Sequence, residues 1–167
     1  AELTTFMMVP QIFEKERVFT YSNDTITLSA FYNETELAMM LEWDDRTKSI
    51  PGDPDIDKIA DKVPFEDMIS VQLPVTIPEG TQKPYFINGD TNNPVNLLTW
   101  RSGTSETPQS VSAANATGSE NIEERDAANI GLVASSAYKD GTWRVVMKRP
   151  LSTSNAESDL QLVEGRF

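Results

Sequence analysis

Three tryptophans, six methionines and a short run of alternating aspartates offer most of the chemistry in this sequence, because histidine and cysteine are both absent. Without histidine the chain lacks the usual general base, the usual zinc ligand and the usual haem ligand. Without cysteine it can form no disulfide, no CxxCH attachment of a c-type haem, no iron–sulfur ligation and no thiol nucleophile. Chemistry falls to carboxylates, Lys, Tyr, Met, Asn and backbone groups, which argues against an independent enzyme.

Each remaining candidate has a functional and a structural reading. The methionines at 7, 8, 39, 40, 68 and 147 can present a thioether to iron, but Met more often fills cores. Met39 and Met40 are consecutive in a strand pattern, so one faces in and the other out, and Met147 follows Val146. Met68 is the best placed, at a strand start beside Asp67 and ahead of Gln72. Lys148 ligates iron only if desolvation keeps it neutral; otherwise it is an outward lysine beside Arg149. Asp53, Asp55 and Asp57 have the spacing that opens a calcium loop, yet position six is Lys58 and position twelve is Pro64. The competing reading is a solvated acidic loop. Glu42 and Asp44 share a strand face but nothing completes an acid/base pair, and Asp44-Asp45 is explained as a turn. Trp43, Trp100 and Trp143 are core residues by default. Alternatively one lines a pocket, against a porphyrin or against a sugar held by Asn88, Asp90 and Asn96.

The elements that position these residues read as strands. Ile26 to Tyr32 and Glu36 to Trp43, joined through Asn33-Glu34-Thr35, predict a hairpin. Residues 51–64 form an acidic loop with a short helical turn around 57–62. Ile69 to Val75 alternates like a half-buried strand, and the Pro/Gly-rich stretch 78–84 ends it. Two short strands are expected at 84–90 and 95–100 around the turn 91–94. Residues 102–125, rich in Ser, Thr, Ala and Glu without a period, read as an exposed loop. Ile130 to Tyr138 and Thr142 to Pro150 flank the tight turn Lys139-Asp140-Gly141. Short, regularly spaced strands with little amphipathic helix predict an all-β, antiparallel β-sandwich with short helical turns in its loops.

At 167 residues the chain suits a single domain over 1–167. No apolar run approaches the roughly 18 residues of a membrane span, and Ala1-Glu2-Leu3 opens no leader pattern. A net charge of −12 opposes nucleic acid and anionic lipid and admits a basic protein partner.

Collinear strings across residues 26–165 carry a family resemblance. Ala30-Phe31-Tyr32-Asn33 with Leu37 to Leu41 and Glu42-Trp43-Asp44-Asp45 resembles the opening hairpin of the haem b subunits that accompany DMSO reductase-family molybdoenzymes, the ethylbenzene dehydrogenase gamma-subunit family. Phe65-Glu66-Asp67 with Val71-Gln72-Leu73-Pro74 is similar to the next strand. Pro84-Tyr85-Phe86, Gly89-Asp90, Pro94 to Leu97 and Trp100 are similar to the segment after it. Gly141 to Val146, Arg149-Pro150-Leu151, Asp159-Leu160-Gln161 and Gly165 resemble the late strand and its exit. The resemblance implies a sandwich that holds haem b between Met and Lys, exchanges electrons with a redox partner or molybdoenzyme subunits, works in the periplasm or outside the cell, and is not itself a catalyst. It directs the cofactor to the segment of Asn88, Gly89, Phe86 and Trp100; Met68 and Lys148 join the candidates by residue type alone, and no residue matches the family's lysine ligand by motif. Asn88 stands where the family has Met before Gly. The family's lysine-bearing strand would follow Phe167, so the resemblance implies either that the sequence is truncated there or that this branch closes its sandwich differently. The rival reading keeps the sandwich as a haem-free module for carbohydrate or a protein partner, and calcium at Asp53, Asp55 and Asp57 is a weaker expectation.

Overall fold

A computed structural model describes residues 3–9, 23–57, 65–79 and 87–162. Among them the chain forms two antiparallel sheets. One has the order β1 (Leu3–Met7), β2 (Thr25–Tyr32), β3 (Glu36–Asp44), β9 (Thr142–Pro150) and β8 (Val133–Lys139). The other has the order β4 (Met68–Pro74), β5 (Val95–Arg101), β6 (Ser110–Ala116) and β7 (Ile122–Arg125). Both sheets contribute to one core, with Met39, Leu41, Trp43, Trp143, Val145 and Met147 on the first and Ile69, Leu98, Trp100 and Ala113 on the second. The antiparallel sandwich expected from the strand spacing is the observed architecture.

Period-two patterning explains the best-read strands. In β3 and β9, odd-numbered residues from Met39 to Trp43 and from Trp143 to Arg149 are buried while their neighbours lie outside, so one face of each strand is apolar. The register Met39↔Met147, Leu41↔Val145 and Trp43↔Trp143 then stacks the apolar residues of the two strands side by side. The β2–β3 hairpin closes on Asn33, whose carboxamide oxygen accepts from the Thr35 and Glu36 amides at 2.8 Å. The β8–β9 hairpin closes on Asp140 and Gly141, both at positive φ (53° and 78°), the pair of values a two-residue type I′ turn demands.

Four expectations need correction. Residues 102–125 are not one long loop: β6 and β7 lie within them, and β6 pairs along its whole length with β5. The sequence Ser-Val-Ser-Ala-Ala-Asn-Ala has weak strand propensity, and packing against the central strand overrides it. Ala113 is buried in the core that holds the tryptophans, and Ala116 is buried at the other end of the strand opposite Val95. The strand expected at 84–90 is not seen in its described part, since 87–90 is a bend, and 84–86 lie outside the described residues. Ile130 does not begin a strand but ends a single 3-10 turn, Ala127–Ile130, capped by the Asp126 carboxylate and by Gly131 at φ 63°. The helical turn in the acidic loop is observed earlier than expected, as α1 (Pro54–Asp57); residues 58–62 lie outside the described residues.

After β9 the chain folds back and ties the two sheets together. The buried Asn96 of β5 donates to the Ser158 carbonyl and accepts from the Leu160 amide, both at 2.8 Å. The buried Arg149 of β9 donates to the Leu160 carbonyl at 2.8 Å.

Candidate functional site

The described positions expected to hold a cofactor do not converge. Asn88 and Gly89 form a left-handed turn (φ 50° and 68°) at the Val95 end of β5. The Asn88 amide donates to Gln72 Oε1 at 3.0 Å, its carbonyl accepts from the Gly118 amide at 2.9 Å, and its Nδ2 reaches Ser119 Oγ at 3.5 Å. A Cβ on Gly89 would stand 2.5 Å from the Asn93 carbonyl oxygen, so glycine is required by contact as well as by φ. The Asp90 carboxylate closes the adjoining turn through Asn92 and Asn93, and the Asn93 side chain, followed by the Asn92 amide, holds its pKa below the ordinary value.

Trp100 lies five residues along β5 from Val95, roughly 17 Å away at the rise of an antiparallel strand. It is fully buried and donates its indole N–H to Gln109 Oε1 at 2.9 Å. Met68 is exposed, on the opposite face from buried Ile69, with its sulfur 3.5 Å from the Arg101 guanidinium. Lys148 is on the outer face of the other sheet and pairs with Glu36 at 2.8 Å. Phe86 lies outside the described residues.

Among the described residues neither alternative site assembles. In the acidic loop the Asp53 carboxylate accepts from the Asp55 amide at 2.9 Å, a turn contact, and the Asp57 side chain lies outside the described residues. Among the described residues no three acidic side chains are grouped to hold a metal ion. The sugar-binding constellation fails at its centre, since Trp100 and Asn96 are both buried and bonded internally. Asp24, Asp44, Asp45 and Asp140, with Arg46, line an open polar depression of roughly 400 Å³.

What does converge is an aromatic cluster with a carboxylate at its edge. Trp43, Trp100 and Trp143 are all buried, which confirms their reading as core. The Trp143 Nε1–H donates to Asp67 Oδ2 at 2.9 Å, and the Ser49 amide donates to the same oxygen at 2.8 Å. Around it, Ser102 Oγ donates to the Ser49 carbonyl and accepts from the Asp67 amide, both at 3.0 Å. Sequence reasoning missed Asp67, because a lone acid before a strand has no motif and its partners lie 18 and 76 residues away.

Burial raises the Asp67 pKa from 3.8 to about 6; the bonds from Ser49 and Trp143 oppose that shift, and Asp45 adds to it. A carboxyl whose pKa is higher folded than unfolded makes folding less favourable as pH rises, so stability should fall between about pH 4 and 6 and then level off. The full shift corresponds to about 3 kcal/mol; with Asp67 only half buried, about 1–2 kcal/mol is the expected size after solvent screening. Asp67→Asn keeps an acceptor oxygen for Trp143 and Ser49, and is expected to flatten that limb in urea titrations from pH 4 to 7. An unchanged slope would show that Asp67 is not its source.

The family model described as ethylbenzene dehydrogenase matches residues 8–129. A putative respiratory nitrate reductase heme subunit, ORF7, of Haloferax mediterranei is 31% identical over 137 residues, which is 82% of this chain and 43% of that protein. The chain thus spans under half the length of this curated relative. A match over most of its residues places the chain in the ethylbenzene dehydrogenase family.

Proposed function

We propose that the chain is a haem b-type electron-transfer accessory domain of a redox complex, outside the cytoplasm, with molybdoenzyme-type subunits as partners and no substrate turnover of its own. The observation that carries this reading is the 31% identity, across most of the chain, to a protein named as the heme subunit of a respiratory nitrate reductase. Its surface chemistry suits a protein partner, since a net charge of −12 favours a basic docking face.

The described residues do not by themselves fit haem iron. Asn88 offers an amide where the family offers a thioether, Lys148 is ion-paired on an outer face, and the Met68 sulfur faces Arg101. No electron step is therefore routed through these side chains. The backbone of Asn88 instead ties the 87–90 turn to β4 and to the β6–β7 connection.

The test is a visible spectrum of the chain expressed with haem supplied. A Soret band that sharpens and shifts on reduction is expected; a featureless spectrum from folded protein would sink the haem reading and leave a haem-free scaffold. Asn88→Met restores the family's thioether at the turn and is expected to shift the bands, since the axial ligand sets the electronic state of the iron. Unchanged bands would place the iron away from this turn.

A further inference from the structure

Four aromatic rings form a connected set in the core. Trp143 is at its centre, with ring centroids 4.9 Å from Trp100, 5.1 Å from Tyr138 and 6.3 Å from Trp43. Trp43 and Trp100 are 6.1 Å apart. Tyr138 is half-buried and donates its hydroxyl to the Asp45 carbonyl at 2.8 Å, which brings the set towards the surface.

Two indoles of this set differ in the group that accepts their N–H. Indole nitrogen is a donor only. Trp100 donates to Gln109 and Trp143 donates to Asp67, each at 2.9 Å. An amide oxygen is a poor base, whereas a carboxylate takes a proton readily. Removing one electron from an indole turns its very weakly acidic N–H into an acid comparable to a carboxylic acid, so the basicity of the acceptor decides whether the proton leaves. The charges around Trp143 act in the same direction. Lys48 Nζ lies 5.9 Å over its ring and disfavours a positive charge that stays there, while Asp67 offers the proton an immediate exit.

We propose that Trp143 and Asp67 form a proton-coupled hole trap. An outer-sphere one-electron oxidant withdraws an electron from the aromatic set. The Trp143 Nε1–H bond breaks as an O–H bond forms on Asp67 Oδ2, leaving a neutral indolyl radical. A one-electron reductant then returns the electron, and the proton moves back to nitrogen. Asp67 suits this role because it remains largely ionised at neutral pH yet is more basic than an ordinary carboxylate. The function is distinct from any haem, since it uses only side chains of the core.

The experiment uses the full chain without haem, so its outcome is separate from that of the haem reading. Photogenerated ruthenium(III) tris-bipyridine serves as the oxidant, and transient absorption with electron paramagnetic resonance identifies the radical. The wild type should give a neutral indolyl radical, formed more slowly in deuterium oxide. Asp67→Asn keeps a hydrogen-bond acceptor but removes the base, and should prolong the indole cation radical by roughly a hundredfold. Trp143→Phe should remove the long-lived neutral radical while Trp100 is still present. A neutral radical that survives Trp143→Phe, or proton loss at the wild-type rate in Asp67→Asn, would overturn the proposal. Should Trp143→Phe fail to fold, the isotope effect and Asp67→Asn decide the matter, with near-ultraviolet circular dichroism verifying the fold.

Discussion

Trp100→Ala is expected to destabilise the fold by about 3–5 kcal/mol, the cost of removing a large aromatic from a closed core. The side chain is completely buried and touches both other tryptophans, edge-on at 4.9 Å from Trp143 and 6.1 Å from Trp43. Neighbours cannot collapse into the space easily, because it lies between two hydrogen-bonded sheets whose spacing is set by many other contacts. Gln109 keeps a partner after the change, since Ser136 Oγ also donates to its carbonyl at 2.7 Å, so the loss is one of packing more than of a stranded polar group. Urea unfolding should show a much lower midpoint with an unchanged slope. A loss under about 1 kcal/mol would contradict the described packing, given the usual cost of such cavities.

Asp159→Ala should be comparably damaging, by about 3–5 kcal/mol, because it breaks a buried ionic network from one side. Asp159 is buried; it receives the Arg125 guanidinium on both oxygens and the Thr153 hydroxyl at 2.6 Å. Arg149, also buried, feels the same carboxylate electrostatically. Burial lowers its pKa, Asp159 counteracts that, and Arg125 adds to the lowering. With Asp159 removed, two guanidinium groups remain near each other with no buried acidic side chain left among the described residues. The segment 151–162 should then loosen from β5 and β9, and limited proteolysis should cut there before it cuts elsewhere. Resistance equal to wild type, with an unchanged midpoint, would mean that the Asn96 and Arg149 side chains, through their bonds to the Ser158 and Leu160 backbone, hold the segment unaided.

These residues show where sequence reasoning succeeded and where it stopped. The hairpin over 25–44, the strand from Thr142 to Pro150 and the turn at Asp140-Gly141 were legible because local patterning and tertiary environment agree there. Alternating apolar residues mark a half-buried strand wherever it lies, and Asp-Gly between two strands calls for one turn type. The pairing of β6 with β5 was not legible. Small residues hide the strand signal, and only a central partner with bulky side chains makes small ones favourable at Ala113 and Ala116.

The site divides in the same way. From residue types alone came the absence of histidine and cysteine chemistry, the core role of three tryptophans and the family resemblance, all properties of identity and order along the chain. The scatter of Asn88, Met68, Trp100 and Lys148 over different faces, and the meeting of Asp67 with Trp143, were decided only by the tertiary structure. Their physical cause is sheet pairing: alternation marks the two faces of one strand, but which distant strand lies beside it, and so which distant residue meets Trp143, is not encoded by spacing within the strand.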